Sequence, residues 1–342
     1  MKKIACITGS SGQDGSYLAD LLLNKNYIVV AADRRSARSD NWRHKYLNIE
    51  KKLIYENFDL TDQGSIDRLI KNYKIDEFYN LAAQSFVGSS FNTPISTSEI
   101  TGMGVLRILE SIRLNSPKTK FYQASTSEMF GKTSNSYQNE QTTFYPRSPY
   151  AVAKTFGHFI GQNYRDSFGL FISNGILFNH ESPLRGEEFV TRKITIGMSE
   201  IFYNKKKFLE LGNLDAKRDW GYAKDYVEAM WKMLQQKKSD DFVVSTGQTH
   251  SVSDFINQCC KLLGIKIKWK GKGINRVGIN LETNKVIIKV NPKFYRPAEV
   301  DYLRGSSKKA RSKLKWKVKT NFKQLVKIML DADLKRVKNL NN

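Results

Sequence analysis

The residues K-I-A-C-I-T-G-S-S-G-Q-D-G, numbered 3–15, decide the fold of this chain. Lys3 to Thr8 is a short apolar run that predicts a buried strand, and a helical pattern follows from Tyr17 to Asn24. Between them lie three glycines at intervals of three residues: Gly9, Gly12 and Gly15. A strand, a glycine-rich turn and a helix together present backbone N–H groups to a pyrophosphate. The opening residues therefore predict the first βα unit of a dinucleotide-binding domain.

The second predicted strand, Tyr27 to Ala32, ends in residues that give opposing indications about the dinucleotide. An acid at this position, here Asp33, binds the ribose diol of NAD. Arginines, here Arg34 and Arg35, accommodate the 2′-phosphate of NADP. These residues by themselves therefore leave the choice between NAD and NADP open.

Strands and helices alternate through the first half of the chain. Further strands are predicted at Glu77–Leu81 and Lys120–Ala124, and helices at Gln63–Asn72 and Gly102–Arg113. Such alternation predicts an α/β fold, namely a Rossmann-like doubly wound parallel sheet.

The alternation loosens after Leu170, which indicates a smaller, discontinuous C-terminal substrate-binding domain. We expect residues 1–178 to form the dinucleotide-binding domain, and a later segment at about 213–250 to return to it. Residues 179–342 are expected to form mainly the smaller domain.

Two stretches supply candidate catalytic side chains. S-T-S-E, residues 125–128, follows a predicted strand, and on an extended chain Thr126 and Glu128 would project from the same side. Tyr150 and Lys154 are four residues apart, so on a helix they share one face. A nearby ammonium favours the phenolate, and a phenol tuned in this way can take a proton from a sugar hydroxyl near neutral pH. The sequence therefore predicts a hydroxyl, a carboxylate, a phenol and an ammonium in one cleft.

Composition narrows the functional class. The 342 residues are 40% hydrophobic and 26% charged, as is ordinary for a soluble protein, but the net charge is +23. We find no motif of a nucleic-acid-binding module, so we expect no nucleic-acid partner and interpret the charge as a basic surface that also steers anionic substrates. Three cysteines without a histidine cluster predict neither a disulfide framework nor a metal site. Without a signal peptide or an apolar run that could span a bilayer, we expect a cytoplasmic protein with no membrane partner.

Several longer words of sequence resemble one protein family, in family order, over nearly the whole chain. They include T-G-S-S-G-Q-D-G-S-Y-L (8–18), Y-N-L-A-A-Q-S (79–85), F-Y-Q-A-S-T-S-E-M-F-G (121–131), F-Y-P-R-S-P-Y-A-V-A-K (144–154), G-I-L-F-N-H-E-S-P-L-R-G (175–186) and F-Y-R-P-A-E-V (294–300). On these words the chain resembles the extended short-chain dehydrogenases/reductases, and among them the GDP-mannose 4,6-dehydratases. The resemblance implies conversion of GDP-D-mannose to GDP-4-keto-6-deoxy-D-mannose and water, by internal hydride transfer through bound NADP.

The resemblance also implies roles for individual residues. The catalytic group would be Thr126, Glu128, Tyr150 and Lys154. The cofactor would contact Gly9, Gly12, Gln13, Asp14, Gly15, Arg34, Arg35, Asp59, Leu60, Leu81, Ala82, Ala83, Gln84, Ser85, Tyr150, Lys154, His180 and Arg185. The substrate would contact Ser85, Thr126, Glu128, Asn179, Val190, Lys193, Arg218, Arg296 and Glu299. Two positions depart from the family, since Ser96 replaces a cofactor-contacting tyrosine and Tyr222 a histidine.

Alternatives remain open for the substrate and for the reaction. A GDP-heptose could replace the favoured GDP-mannose, since pocket residues such as Tyr222 vary. A nucleotide-sugar 4-epimerase or reductase of the same fold has no need of Glu128, and a non-catalytic NADP-binding protein has no need of the catalytic group. The resemblance also implies a homotetramer or homodimer, in which the basic loop from Arg34 to Arg43 meets a neighbour.

Overall fold

A computed structural model of the chain describes residues 1–35, 41–133, 135–295 and 302–339. Its strands, in chain order, are β1 (Ile4–Thr8), β2 (Ile28–Asp33), β3 (Ile54–Asn57), β4 (Glu77–Asn80), β5 (Lys120–Thr126), β6 (Ile172–Leu177), β7 (His180–Glu181), β8 (Leu209–Leu211), β9 (Lys217–Arg218), β10 (Gly221–Tyr222), β11 (Phe242–Val244), β12 (His250–Ser251), β13 (Ile267–Lys270), β14 (Val277–Asn280), β15 (Lys285–Val290) and β16 (Tyr302–Leu303).

The α-helices, in the same order, are α1 (Gln13–Asn24), α2 (Trp42–Tyr46), α3 (Gln63–Asn72), α4 (Val87–Ser90), α5 (Pro94–Ser98), α6 (Gly104–Asn115), α7 (Pro149–Phe168), α8 (Val190–Phe202), α9 (Ala223–Leu234), α10 (Val252–Leu262), α11 (Lys308–Lys313) and α12 (Phe322–Asn339). Short 3₁₀ turns lie at Glu50–Lys52, Ser127–Met129, Gly273–Asn275 and Pro292–Phe294, and a π-helical turn lies at Glu99–Met103.

The chain divides into two compact units. The first comprises Met1–Phe178, Ala223–Ser245 and Gly305–Lys317. The second comprises Asn179–Tyr222, Thr246–Arg304 and Val318–Asn342.

The first unit contains a seven-stranded sheet with the order β11-β6-β5-β4-β1-β2-β3. Each neighbouring pair of strands is parallel. Thr8, the last residue of β1, lies beside Ala32 in β2 and Asn80 in β4, so these strands end at one edge of the sheet. This order, with strands from the two halves meeting at β1 and β4, is that of a doubly wound Rossmann-like sheet, and the predicted fold class is confirmed.

Helices pack on this sheet in two groups. In one group α3 packs against α6 and α6 against α7, over a core that includes Cys6, Phe78, Phe121 and Ile108. In the other group α1 and α9 pack against each other, α1 on β1 and β2 and α9 on β5 and β6. The near-continuous apolar sequences of β1 and β2 follow from this arrangement, because parallel strands are covered by helices on both faces.

The second unit is built from smaller sheets and a helical layer. Its largest sheet has the order β13-β14-β15-β8, in which the first two pairs are antiparallel and the last is parallel. Strands β12, β9 and β16 form a three-stranded sheet, and β10 pairs with β7. Helices α8, α10 and α12 pack on one another over a core that includes Met198, Trp220, Phe255 and Leu325.

Candidate active site

The glycine-rich turn lies close against the chain that follows β4. Gly9 has a positive φ of 68°, and a Cβ there would lie 2.9 Å from the backbone of Ala82. A Cβ on Gly15 would lie 2.3 Å from the carbonyl oxygen of Gly9. The Thr8 hydroxyl accepts hydrogen bonds at 3.2 Å from the N–H groups of Leu81 and Ala82. Any side chain at Gly9 or Gly15 would therefore displace backbone, which explains why these positions are glycine.

Asp33, at the end of β2, is turned towards the glycine-rich turn. Its Oδ2 accepts a hydrogen bond from Ser10 Oγ at 2.5 Å and from the Ser11 N–H at 3.0 Å. The carboxylate thereby connects β2 to the turn between β1 and α1. Sequence reasoning identified Asp33 only as a candidate for the ribose diol and did not foresee this structural role.

The short helix α2 holds the same turn from another side. The buried His44 places Nε2 at 2.8 Å from the Ser10 carbonyl oxygen and Nδ1 at 3.0 Å from the Tyr55 hydroxyl. Arg43 donates from Nη1 to the Ser11 carbonyl oxygen at 3.1 Å, and its guanidinium stacks 4.5 Å from the Trp42 ring. Burial lowers the pKa of His44. The sequence contained no motif that pointed to these contacts.

A cleft of about 810 Å³ opens beside the turn in the first unit. It brings together most of the predicted cofactor residues of that unit: Gly9, Gly12, Arg34, Arg35, Asp59, Leu60, Leu81, Ala82, Ala83, Gln84 and Ser85. It is also lined by residues that sequence reasoning missed, among them Asn41, Trp42, Arg43, Tyr55 and Asn57. Gln13, Asp14, Gly15, Tyr150 and Lys154 were predicted as cofactor contacts but do not belong to this lining.

Several charged and polar groups of the cleft have a defined environment. Burial opposes the charge of the Asp59 carboxylate, but hydrogen bonds from Thr61 and the charge of Arg34 outweigh it and lower the pKa of Asp59. The side-chain Oε1 of Gln84 is buried and has no hydrogen-bond partner among the described residues. A buried acceptor without a partner is costly, so it marks a place where a ligand donor would be stabilising.

Thr126 and Glu128 lie where β5 ends. Thr126 is the last residue of the strand, and the chain then enters the 3₁₀ turn Ser127–Met129. The Thr126 hydroxyl oxygen accepts a hydrogen bond from the Glu128 N–H at 3.3 Å. The expectation that both side chains project from one extended strand is therefore wrong, because the hydroxyl caps a helical turn that contains Glu128. The Glu128 side chain is nonetheless largely buried, with 9% of the residue exposed.

Tyr150 and Lys154 lie on α7, as the spacing predicted. The helix begins with Pro149 after Ser148, whose hydroxyl accepts a hydrogen bond from the Ala151 N–H at 3.1 Å. Proline at the first helical position and serine before it are the residues that favour a helix start. Tyr150 is thus placed in the first turn, with 8% of the residue exposed.

The ammonium of Lys154 is buried between α7 and β5. It donates to the Ala124 carbonyl oxygen at 2.7 Å and lies 5.9 Å from the centre of the Tyr150 ring. Burial lowers the pKa of Lys154 from 10.5 to about 8, and the charge of Asp14 opposes this shift. Lys154 therefore remains mostly cationic at neutral pH while sitting beside the phenol.

The second unit contains the predicted site residues between Asn179 and Arg218. Arg185 Nε lies 3.1 Å from Glu181 Oε2, and the guanidinium carbon of Arg185 lies 3.6 Å from the Phe189 ring centre. The ammonium of Lys193 lies 3.4 Å from the Phe294 ring centre, and burial followed by the charge of Lys206 lowers the pKa of Lys193.

The remaining residues of this group differ in exposure. Arg218, in β9, is buried and donates to the Lys217 carbonyl oxygen at 2.9 Å, and His180, in β7, is also buried. Val190 is exposed at the first position of α8. The Oδ1 atom of Asn179 is buried and has no hydrogen-bond partner within the described part of the chain. Arg296 and Glu299 lie outside the described residues.

Arg192 holds the loop that carries Arg185. Its Nη1 donates to the carbonyl oxygens of Pro183 and Arg185 at 2.9 and 2.8 Å. Its Nε donates to both carboxylate oxygens of the fully buried Asp333, at 3.0 and 2.8 Å. Asp333 also accepts from Thr195 at 2.6 Å and from Arg336 at 2.9 Å. A buried ion pair with every oxygen hydrogen-bonded therefore fixes this loop, and neither partner was singled out from the sequence.

The described residues offer neither a metal site nor a membrane-spanning helix. No group of three or more His, Cys, Asp or Glu side chains is arranged to hold a metal ion. Among the helices that the structure describes, none combines the length and apolar character needed to cross a membrane.

Comparison with known proteins gives long and consistent similarities. The family profile described as "GDP-mannose 4,6 dehydratase" matches residues 6–329. The GDP-mannose 4,6 dehydratase of Drosophila melanogaster is 48% identical over 340 residues, covering 97% of this chain and 86% of that protein. The GDP-mannose 4,6-dehydratase of Sinorhizobium fredii is 46% identical over 340 residues, covering 97% of both.

Solved structures show the same architecture at lower identity. The dTDP-glucose 4,6-dehydratase of Bacillus anthracis, in complex with NAD, has a TM-score of 0.81 at 18% identity and covers 98% of each chain. RMD from Pseudomonas aeruginosa, complexed with NADPH, has a TM-score of 0.77 at 19% identity. The match covers 98% of this chain and 100% of RMD. At these identities the likeness shows the fold alone.

Proposed function

Because the chain belongs to the GDP-mannose 4,6-dehydratase family, we propose that it converts GDP-D-mannose to GDP-4-keto-6-deoxy-D-mannose and water. It is a nucleotide-sugar 4,6-dehydratase, that is, a hydro-lyase. One structural observation supports the chemistry above all others. The end of β5 and the first turns of α7, tied by the Lys154–Ala124 hydrogen bond, carry the hydroxyl, carboxylate, phenol and ammonium that the reaction needs.

The cleft of the first unit fits a nicotinamide dinucleotide. Gly9 and Gly15 allow close packing of the backbone at the glycine-rich turn, and the N-terminus of α1 follows this turn. The buried Oε1 atom of Gln84 could accept a hydrogen bond from the ligand. The chain's structural neighbours include complexes with NAD and with NADPH, which supports a nicotinamide cofactor. When bound, such a cofactor would supply the chemistry of accepting a hydride from the sugar and returning one.

NADP is the cofactor that we propose. Arg34 and Arg35 line the cleft, and guanidinium groups suit a 2′-phosphate. Asp33, the residue that would favour NAD, uses Oδ2 to hold Ser10 and Ser11. Asp33 also lines the cleft, so the proposal of NADP rests on the two guanidinium groups.

Tyr150 and Lys154 would carry out the first proton transfer. The Tyr150 phenolate would take the proton of the sugar C4 hydroxyl, with the Thr126 hydroxyl hydrogen-bonded to the same oxygen. The positive charge of the Lys154 ammonium would favour the phenolate. Because the pKa of Lys154 is about 8, most of the enzyme carries this charge at neutral pH. Burial of both side chains keeps bulk water away from this charge and increases its influence.

Glu128 would carry out the elimination. Its carboxylate would take the proton at C5, which a ketone at C4 makes acidic, and would then deliver a proton to the departing C6 hydroxyl. A single carboxylate can act as base and then as acid when both groups lie on one face of the substrate. An epimerase or a simple reductase does not require this group.

By family resemblance, we propose Ser85 and the catalytic side chains of the first unit as substrate contacts, and we separately propose residues of the second unit whose positive charge suits a diphosphate. Lys193 and Arg218 provide positive charge, and the buried Asn179 oxygen offers an acceptor. His180 and Arg185 are proposed as cofactor contacts and Val190, Arg296 and Glu299 as substrate contacts, by family resemblance.

We also propose that the enzyme is a homodimer or homotetramer. Helix α7 has an exposed apolar face, on which Val152, Phe156 and Phe159 are 54%, 41% and 53% exposed. These residues and Pro146 line a surface depression of about 460 Å³. A second copy of the chain would bury this face, as contiguous exposed apolar surface favours association. Residues 36–40, which belong to the loop predicted to meet a neighbouring subunit, lie outside the described residues. The cytoplasmic location stays a prediction from the sequence.

The alternatives gain no support from the comparisons. The relatives from Drosophila melanogaster and Sinorhizobium fredii are both named for GDP-mannose, and neither is named for a heptose. The test is to incubate the purified protein separately with GDP-mannose, a GDP-heptose, UDP-glucose and dTDP-glucose, and to follow each by mass spectrometry. Loss of one water from GDP-mannose is expected. Loss from another sugar nucleotide alone would reject the substrate, and no water loss from any would reject the reaction.

A further inference from the structure

A buried polar network lies behind the catalytic side chains, on the face of α7 that carries them. Tyr150, Lys154, His158 and Gln162 follow one another at intervals of four residues, so they form one row along the helix. The first two belong to the proposed reaction. His158 is 2% exposed, and neither the sequence motifs nor the proposed mechanism uses it.

His158 contacts the end of β5 through one ring nitrogen. Its Nδ1 lies 3.0 Å from the Ser125 hydroxyl oxygen, and Ser125 is the residue before Thr126. The imidazole and the Phe144 ring also pack perpendicular to each other, with 5.2 Å between centroids and an angle of 89°. Both the position and the orientation of the ring are therefore restrained.

The other ring nitrogen faces a carboxamide that is itself oriented by Asp241. Gln162 Nε2 donates to Asp241 Oδ2 at 2.6 Å, and only the NH₂ end of the amide can do so. The same Nε2 lies 3.2 Å from His158 Nε2. Arg165 holds the other side of this carboxylate, with Nη1 at 2.8 Å from Oδ1 and Nη2 at 3.1 Å from Oδ2.

These contacts determine the tautomer of His158. Because an NH₂ group faces Nε2, that nitrogen accepts a hydrogen bond and carries no proton. Asp241 Oδ2 lies 3.9 Å from Nε2, which is too long for a hydrogen bond in the opposite sense. Burial lowers the pKa of His158 to about 4, with Asp241 opposing and Arg165 adding to the shift, so the ring is neutral at pH 7. The single proton is therefore on Nδ1, which donates to Ser125.

Two consecutive residues of β5 are thus tied to α7. Lys154 donates to the Ala124 carbonyl oxygen and His158 to the Ser125 hydroxyl. Thr126 and Glu128 follow directly, so any slippage of Ser125 would move them relative to Tyr150. From this geometry we propose that His158, as an Nδ1–H donor to Ser125, is a positioning residue that keeps Thr126 and Glu128 in register with Tyr150 and Lys154. The inference rests on the proposed dehydratase function.

Two matched substitutions separate the hydrogen bond from the packing of the ring. In His158→Asn the amide nitrogen takes the place of Nδ1, whereas in His158→Gln the amide lies at the place of Nε2, where its oxygen can accept from Gln162. Both variants lose the contact with Phe144, but only the asparagine can still donate to Ser125. Since a displacement of about 1 Å can cost roughly 100-fold in rate, we expect His158→Gln to lose about tenfold or more in kcat, with KM little changed. His158→Asn should recover most of that loss.

Ser125→Ala removes the other end of the hydrogen bond and remains available if a His158 variant fails to fold. It should reduce kcat as His158→Gln does, and the double variant should show no further loss, because the two changes remove one interaction. Equal kcat values for the asparagine and glutamine variants would overturn the proposal. So would wild-type kcat in Ser125→Ala.

A nuclear magnetic resonance measurement tests the same geometry without turnover. The chain has four histidines, so the ¹⁵N signals of the imidazoles can be assigned by single substitutions. The proposal predicts an Nδ1-protonated neutral ring for His158 at pH 7 and a shift of its Nδ1 signal in Ser125→Ala. An Nε2-protonated ring would overturn it. Failure of the wild-type enzyme to dehydrate any sugar nucleotide would instead reject the proposed function and leave this tautomer to be decided by the spectrum.

Discussion

The titration of Lys154 gives the most quantitative prediction. The structure lowers the pKa of this ammonium from 10.5 to about 8 by burial. If the charge is needed to favour the Tyr150 phenolate, kcat should fall as the pH rises through about 8, by roughly tenfold for each further unit. At pH 7 roughly 90% of the enzyme would still carry the charge.

The assay is kcat for GDP-mannose dehydration between about pH 6 and pH 10, and Lys154→Arg is the matched variant. A guanidinium does not titrate in this range, so the variant should be slower near neutrality but should lose the alkaline fall. Wild-type kcat that stays level across the whole range would refute the reasoning. An unchanged alkaline fall in Lys154→Arg would refute it as well.

The pH dependence of stability provides a control, because the contribution of Lys154 to stability changes with pH in the direction opposite to kcat. The folded-state pKa of Lys154 lies below its unfolded value, so between about pH 8 and 10.5 the unfolded chain binds more protons than the folded chain. The contribution of Lys154 to the free energy of unfolding therefore rises with pH across this window. A loss of activity there cannot be attributed to this group destabilising the fold, and denaturant unfolding at the two ends of the window separates the two effects.

Three other predictions concern cofactor, assembly and stability. Arg34→Ala and Arg35→Ala should each weaken NADP(H) by about 10–100-fold and NAD(H) much less, since a charge-assisted partner of the 2′-phosphate is lost; equal losses in a fluorescence titration would contradict NADP selection. Light scattering should show a dimer or tetramer, and Phe156→Asp, which places a charge on the apolar face of α7, should shift it towards monomer; a monomeric wild type at assay concentrations rules out the proposed assembly. Arg192→Ala should lower the free energy of unfolding by about 3–5 kcal/mol, because Asp333 stays buried without its main partner. Arg336→Ala, which removes a more exposed partner of Asp333, should lower the free energy of unfolding clearly less. Equal losses in the two variants would show that Arg192 is not the main partner of Asp333.

Much of the first unit could be predicted from local sequence. The glycine spacing, the apolar strands and the four-residue interval between Tyr150 and Lys154 each depend on neighbouring residues only, and the structure has β1, the turn and α7 where these patterns indicate. The residues that contact one another across the parallel sheet were harder to predict. Asp33 and His44 both meet Ser10 through side-chain contacts spanning more than twenty residues, and no periodicity encodes such a contact.

The catalytic region shows the same division. Thr126 and Glu128 could be proposed as catalytic residues from the sequence, but their arrangement could not be predicted, because the Thr126 hydroxyl ends the strand by capping the turn at Ser127–Met129. His158 escaped notice because a single histidine on a helix has no motif. Its proposed role depends on Ser125 and Asp241, which are distant from it in sequence and which the pairing of β5, β6 and β11 brings close to it.

The dual acid–base role of Glu128 is the central claim, and Glu128→Gln tests it most directly. The amide keeps the shape of the side chain but cannot accept the C5 proton, while Thr126, Tyr150 and Lys154 remain. The measurement is the exchange of the C5 hydrogen of GDP-mannose with deuterated water, which mass spectrometry follows. The rate of dehydration is measured in parallel.

We predict that Glu128→Gln suppresses C5 exchange and slows dehydration by roughly 10²–10⁴-fold, while absorbance of reduced nicotinamide develops slowly because oxidation at C4 is still possible. Tyr150→Phe, the matched control, should show neither exchange nor that absorbance. Wild-type exchange and turnover in Glu128→Gln would contradict the account and return the epimerase and reductase alternatives to consideration.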